Sequence, residues 1–203
     1  MTIAVLDYGS GNLRSVEHAL RRAGAHVVVT GEHDAIMHAN GLVVPGVGHF
    51  GACVTALRDR SLDATIEDFV ATDRPVFGVC VGMQVLYEGS EEAPDVAGLA
   101  LFEGTLRRFP ERATVPHMGW NRVSWLGPPQ PRHPYAGADT WLYFAHSFRA
   151  PVTGATVATV RYADEAVSAA AASDNVFATQ FHPERSADAG LELYRRFVED
   201  AGR

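Results

Sequence analysis

An α/β protein built on an open, mainly parallel sheet flanked by helices, with additional antiparallel strands in its C-terminal half, is predicted by three features of the 203-residue sequence. The chain opens on an apolar run that breaks at glycines and continues as an amphipathic helix. That unit recurs as far as residue 80. From about Gly98, short apolar strands separated by turn residues replace the helices. Strands alternating with helices need crossover connections, and those connections favour parallel pairing.

The elements follow in order. Ile3 to Tyr8 is an apolar strand that ends in Gly9-Ser10-Gly11-Asn12, and Leu13, Val16, Leu20 and Ala23 then recur at helical spacing up to a stop at Gly24. His26 to Thr30 is a short β-branched strand and Gly41 to Val44 a buried one. Val54, Leu57, Leu62, Ile66, Phe69 and Val70 mark helical stretches, and Pro75 to Val79 begins a fourth strand. Beyond it, Leu101 to Phe109, Asn121 to Trp125, Trp141 to Arg149, Ala155 to Tyr162, Ala166 to Ala171 and Val176 to Phe181 read as strands, and Ala187 to Asp200 as a closing amphipathic helix. Gly127-Pro128-Pro129-Gln130-Pro131 cannot continue a strand and reads as a surface loop. No linker divides the chain, so residues 1–203 are expected to form one domain.

Bulk composition narrows the function classes. Hydrophobic residues make up 47% and charged residues 20%, as in ordinary soluble domains. The net charge is −7, and the 17 basic residues are all arginines, scattered singly or in pairs, so a nucleic-acid footprint is not expected. Asp7 interrupts the N-terminal apolar run too early for a signal peptide, and no run approaches the roughly 18 residues of a membrane span. A cytoplasmic location is expected. Cys53 and Cys80 have no CxxC or Cys/His ligand spacing, and none of the histidine spacings suits zinc, so reduced thiols and no metal or other cofactor are expected.

Three segments carry chemistry. In Phe77-Gly78-Val79-Cys80-Val81-Gly82-Met83-Gln84, a cysteine between two glycines follows an apolar run, the form of a nucleophile elbow that leaves a strand abruptly for a helix. A Cβ at Gly78 or Gly82 would crowd that turn. A helix running from Val81 to about Glu88 would aim its amino end at the sulfur and favour thiolate. Taken alone, the pattern also fits a buried cysteine at a strand end. Cys53 reads as core. In Thr179-Gln180-Phe181-His182-Pro183-Glu184, an extended chain would put His182 and Glu184 on one face as a base and its orienter, though HPE alone also fits an exposed turn. Pro45-Gly46-Val47-Gly48-His49-Phe50-Gly51 follows the third strand with three glycines. Its free backbone amides suit an oxyanion hole shared with Val81, or else a plain turn. It is no phosphate loop, since GxxxxGK[ST] is absent and the chain has no lysine.

Cys80, His182 and Glu184 in that chain order, with PGVG after an earlier strand, resemble the class I triad glutamine amidotransferases across essentially the whole chain. Within them, DYGSGNLRSV at Asp7 to Val16, PGVGHFG at Pro45 to Gly51, VCVGMQ at Val79 to Gln84, PHMGWN at Pro116 to Asn121 and FAHSFR at Phe144 to Arg149 resemble the glutaminase subunits of imidazole glycerol phosphate synthases. The resemblance implies a three-layer, flavodoxin-like sheet and glutamine hydrolysis through the catalytic residues Cys80, His182 and Glu184. It implies an oxyanion site at Val81, Val47 and Gly48, and substrate contacts from Gln84, Glu92 and the backbone of Ser147 and Phe148. It further implies a separate (β/α)8-barrel cyclase subunit as heterodimer partner, meeting this chain near Asn12, Trp120 and Arg185 and receiving the ammonia.

Two positions depart from the commoner family residues. Val81 stands where leucine is usual and would still supply its amide. Phe148 stands where tyrosine is frequent and keeps only a backbone contact. Two alternatives stay open at this stage: the glutaminase subunit of another class I amidotransferase, which PHMGWN disfavours, and a catalytically silent docking subunit, which the complete set of Cys80, His182 and Glu184 disfavours.

Overall fold

The structure, a computed structural model, describes residues 1–127 and 138–203. The expected loop at Pro128 to Pro131 therefore lies outside the described residues. The first half alternates as the sequence predicts. β1 (Thr2–Leu6), α1 (Leu13–Arg22), β2 (His26–Thr30), α2 (His33–Met37), β3 (Gly41–Gly46), α3 (Phe50–Arg58), α4 (Leu62–Val70) and β4 (Val76–Cys80) lead into the single-turn helix α5 (Val81–Gln84). There follow β5 (Tyr87–Ser90), β6 (Phe102–Arg108), β7 (His117–Trp125), β8 (Thr140–His146), β9 (Phe148–Arg149), β10 (Thr156–Tyr162), β11 (Glu165–Ser173), β12 (Val176–Thr179), a 3-10 turn at Pro183–Arg185 and α6 (Ala187–Asp200).

Among the described residues, nine strands form one sheet in the order β2-β1-β3-β4-β12-β11-β10-β7-β8, and β5-β6-β9 form a smaller one. β2, β1, β3, β4 and β12 run parallel. From β12 outward through β11, β10, β7 and β8 every pairing is antiparallel. This mixed sheet, parallel where crossover helices connect it and antiparallel where short turns do, is the architecture the sequence predicts. β3 and β4 are buried along their whole length, as strands covered on both faces are. On one face α1 packs on α6, and α3 packs on α4 elsewhere. Phe77 on β4 meets its register partner Phe177 on β12 at a centroid separation of 5.1 Å and the Tyr194 and Phe197 rings of α6 at 5.5 Å each.

Four local expectations are corrected. The helix after Cys80 does not reach Glu88. The Leu99 and Phe102 amides donate to the Val85 and Leu86 carbonyls, and the Gly98 amide to that of Glu88, so lateral bonds replace the helical ladder after one turn. Trp141 to Arg149 is two strands, because at Ser147 the chain leaves the large sheet and pairs Phe148 and Arg149 with β6. β7 begins at His117, four residues before the expected Asn121, since His117 to Asn121 of the PHMGWN segment already pair with β8. Finally, β12 stops at Thr179, so His182 and Glu184 do not sit on an extended strand.

The register explains the position of the chemistry. Gly46 on β3 pairs with Cys80 on β4, and Thr179 on β12 pairs with Val79, so the carboxyl ends of three neighbouring strands finish side by side. The Phe77 cluster anchors the central strand beneath them. Replacing Phe77 with Ala is expected to cost about 3–5 kcal/mol of unfolding free energy, measured by denaturant titration, through the cavity left among three aromatic rings.

Candidate active site

The elbow at Cys80 is built by close packing. Cys80 has φ 56° and ψ −112°, a backbone conformation that a side-chain-bearing residue adopts only under constraint. A Cβ at Gly82 would fall on the Val44 carbonyl. One at Gly78 would meet the Gly82 carbonyl oxygen at 2.9 Å, and one at Gly46 the Gly82 nitrogen at 2.6 Å. The glycines flanking the cysteine thus let β3 and β4 press against the turn. Because α5 is a single turn, its dipole is a minor influence on the sulfur. The neighbouring side chains matter more.

His182 supplies the main one. Its ring lines the same cavity as Cys80 and is influenced by that side chain, and Nδ1 lies 2.8 Å from Glu184 Oε1, with both side chains nearly inaccessible. The pairing of His182 and Glu184 is made across the 3-10 turn rather than along an extended strand as the sequence predicts, because Pro183 starts that turn. Burial alone lowers the His182 pKa. Hydrogen bonds to Cys80 and Glu184, together with their charges, outweigh burial and raise it to about 10. Glu184 Oε2 is buried without a hydrogen-bond partner among the described residues, so the carboxylate's interaction is concentrated on the ring. A third side chain reaches the sulfur: Gln180 Nε2 lies 3.9 Å from Cys80 Sγ.

A cavity of about 350 Å³ opens over the cysteine, enough for an amino-acid-sized ligand. Every sequence-predicted site residue lines it except Glu184, which lies behind His182, and Trp120, which stands outside on β7 and is about half exposed. Val47 and Gly48 form one rim. The Val47 carbonyl accepts from Ser10 Oγ at 2.8 Å, and Cys53 Sγ lies 3.5 Å from it, so this core thiol touches the back of the turn. Gly48 is at φ +95°, and the trans peptide directs its N–H away from Ser10. Glu92 reaches the cavity while its Oε2 accepts the Phe50 amide at 2.7 Å, tying the acidic loop to the start of α3. Gln84 Nε2 donates to the Phe148 carbonyl at 3.3 Å and to Gln180 Oε1 at 2.9 Å. The Phe148 oxygen can only accept, so the amide nitrogen of Gln84 must face it, leaving the Gln84 carbonyl oxygen for a ligand. Asn12 and Arg185 line the opening, and the Arg185 guanidinium stacks 4.1 Å from the centroid of Tyr143.

Residues 4–201 match the family model described as "Glutamine amidotransferase class-I". The chain belongs to that family. Among curated relatives it is 45% identical over 202 residues, covering 98% of this chain and 97% of the relative, to the imidazole glycerol phosphate synthase subunit HisH of Mycolicibacterium paratuberculosis. It is 43% identical over 198 residues to the subunit of that name from Methanothermobacter thermautotrophicus, with coverage of 97% and 98%. It is also 41% identical over 201 residues to that of Acaryochloris marina, with coverage of 97% and 94%. Solved structures share the fold. One described as a crystal structure of glutamine amidotransferase superimposes with a TM-score of 0.77 at 21% identity, covering 99% of both chains. A chain of PurLQS from Thermotoga maritima gives 0.74 at 19% identity, covering 98% of this chain and 96% of that one.

Sequence reasoning missed four residues of this amidotransferase cavity: Pro116, Met118, Ala145 and His146. It also missed Gln180, which touches the sulfur. Gln180 stands two residues before His182, and its sequence signal was its place in TQFHPE. Pro116 and Met118 were hidden because the strand from His117 was expected to begin later, and Ala145 and His146 because Trp141 to Arg149 reads in sequence as one uninterrupted strand.

The geometry makes the His182 titration a sensitive probe of Glu184. A folded pKa of about 10 against an ordinary 6.5 means that this site's contribution to stability is fully present below pH 6.5 and is lost as pH rises through 10. In Glu184→Gln, ring signals followed by NMR are expected to titrate well below 10, with a correspondingly smaller alkaline loss of stability. A ring that titrates unchanged would contradict the assignment of the carboxylate as a main source of the shift.

Proposed function

We propose that this chain is a glutaminase that releases ammonia from glutamine through Cys80, His182 and Glu184 and delivers it to a separate (β/α)8-barrel cyclase subunit, within a cytoplasmic heterodimer that makes imidazole glycerol phosphate and an aminoimidazole carboxamide ribotide in histidine biosynthesis. The single observation that carries this reading is the meeting of a cysteine on a strained elbow with a buried His–Glu pair at the rim of an amino-acid-sized cavity. The relatives named as imidazole glycerol phosphate synthase subunits, matched nearly end to end, support the choice of pathway.

In this mechanism the Cys80 proton already rests on His182, whose raised pKa favours the imidazolium, and the thiolate attacks the side-chain amide carbon of glutamine. The tetrahedral oxyanion rests on the Val81 amide and on amides of the Val47–Gly48 turn. His182 returns its proton to the departing nitrogen, the C–N bond breaks, ammonia leaves and a γ-glutamyl thioester remains. Water then attacks that carbonyl carbon while His182 accepts its proton. Collapse of the second tetrahedral species breaks the C–S bond, frees glutamate, whose new carboxyl gives its proton to solvent, and restores the thiolate beside the protonated His182. Glu184 holds the ring orientation and stabilises the imidazolium throughout. At the amino-acid end of the substrate, the Glu92 carboxylate and the Gln84 carbonyl oxygen accept from the ammonium, and the backbone at Ser147 and Phe148 contacts the carboxylate.

The barrel subunit docks over the cavity mouth. Met118, Trp120 and Trp141 share the outward face of the β7–β8 hairpin and are about half to two-thirds exposed, beside Arg185 and Asn12 at the opening. Exposed aromatics of this kind mark association surfaces. Arg185 makes no ion pair among the described residues, so its charge is available to a partner carboxylate.

In the assembled complex, Cys80→Ala is expected to lower glutamine-dependent turnover by at least about a thousandfold, while turnover with added ammonium survives. Loss of both activities would mean that the two reactions are not divided as proposed. Separately, Arg185→Glu is expected to weaken association with the barrel subunit about tenfold or more, read by calorimetric titration. Unchanged affinity would remove Arg185 from the interface.

A further inference from the structure

Two buried histidines remain that the mechanism does not use. His117 and His146 are register partners on β7 and β8, and His117 Nδ1 lies 3.0 Å from His146 Nε2. The His117 ring is stacked between Phe144 and Tyr162 at 4.7 and 3.9 Å, and Phe109 packs against both histidines.

Hydrogen-bond chemistry fixes every proton along this line. The Phe148 carbonyl can only accept, so His146 Nδ1, 2.8 Å away, carries a hydrogen. A neutral His146 then presents a bare Nε2, which His117 Nδ1–H fills. His117 Nε2 is left as an acceptor, and Asn121 Nδ2 stands 3.2 Å from it. The Asn121 amide is itself oriented at both ends, since Nδ2 also donates to the Arg161 carbonyl at 3.1 Å and Oδ1 accepts the Arg122 amide at 2.7 Å. A proton added to either ring would face another donor, and burial opposes the charge as well. The His117 pKa is lowered to about 4 and that of His146 to about 3, mainly by burial.

A pair of satisfied core histidines would end in scaffold. This one ends on the Phe148 carbonyl, which lies in the cavity wall and also receives Gln84 Nε2. Gln84 in turn holds Gln180, whose amide nitrogen reaches the Cys80 sulfur. We propose that the Asn121–His117–His146 line is a positioning device for the glutamine pocket: it holds both rings as neutral Nδ1–H tautomers and so fixes the Phe148 carbonyl and, through it, the Gln84 amide that receives the substrate's ammonium. This inference rests on the glutaminase reading above.

The test uses the complex with its barrel subunit and three variants. His146→Phe keeps an aromatic ring but removes the donor to Phe148. His146→Asn restores a donor close to the Nδ1 position. Asn121→Asp, remote from the cavity, places a carboxylate against His117 Nε2 and draws a hydrogen onto it, either from solvent, which charges the ring, or from Nδ1, so that either way the neutral Nδ1–H tautomer is lost. In His146→Phe and Asn121→Asp the KM for glutamine is expected to rise about tenfold, the weight of one hydrogen bond. The accompanying change in kcat should be smaller, and ammonium-dependent turnover unchanged. His146→Asn should recover most of the KM. Nitrogen-15 spectra of the unmodified chain should show both rings as Nδ1–H tautomers, and Asn121→Asp should change that signature. A merely structural role would reduce the active fraction and leave KM alone. A KM within twofold of the unmodified complex in both His146→Phe and Asn121→Asp, or an Nε2–H tautomer in the unmodified chain, would overturn the inference while leaving the glutaminase reading intact. Absence of glutaminase activity in the unmodified complex would remove that reading itself.

Discussion

The backbone at Cys80 is the constraint on which the rest depends. A residue at φ 56° and ψ −112° does not persist unless its surroundings leave no alternative. Those surroundings are Val44 and Gly46 on one side and Gly78 and Gly82 within the turn, at separations that exclude a single extra carbon atom. Because β3 and β4 are paired in parallel right up to Gly46 and Cys80, the turn cannot relax without unpairing the centre of the sheet. The energy of the buried sheet therefore maintains the strain, and the strain presents the sulfur to the cavity instead of to the core. A cysteine in a relaxed strand–helix connection would have the same neighbours in sequence without that direction.

The same sheet delivers the partners. β12 joins β4 only after the chain has crossed the antiparallel half, and its register brings Thr179 alongside Val79, so the residues just beyond it arrive next to the elbow. Pro183 then turns the chain into a tight 3-10 segment. That turn, and not strand alternation, folds Glu184 back onto His182 Nδ1. Burial and hydrogen bonding act in opposite senses on this imidazole, and the net rise to about 10 shows which prevails. At His117 and His146 the outcome is reversed, because their partners are neutral donors and acceptors instead of a carboxylate, and burial outweighs even the bond from His146 to the Phe148 carbonyl.

Much of this was legible in the sequence because it rests on local chemistry. Glycines at 78 and 82, apolar parallel strands and the stop at Gly24 each specify a backbone conformation without reference to distant residues. What could not be read depends on which segment captures which backbone groups. The helix after Cys80 ends at Gln84 because residues 98–102 take the carbonyls of Val85, Leu86 and Glu88, and nothing in VLYEGS announces that competition. The split at Ser147 is of the same kind: a continuous apolar run changes sheets because β6 offers Arg107 and Arg108 as partners. Glu92 was recognisable as an acidic loop residue, but its bond to the Phe50 amide joins residues 42 apart.

The polar atoms around the cavity also differ in how much freedom they retain. Gln84, Gln180, His146 and His117 have their donors and acceptors assigned by a carbonyl that can only accept, so each orientation implies the next. The Val47–Gly48 turn is held differently. One hydroxyl and one thiol bind a single carbonyl on its outer side, Gly48 has no Cβ to restrict it, and an added Cβ there would meet nothing within 4 Å. The wall that would grip the amino-acid end of a substrate is thus over-determined, while the rim that would receive the oxyanion is fastened at one point in open space. This division places the capacity for adjustment on the Val47–Gly48 side and leaves the wall at Gln84 and Phe148 fixed.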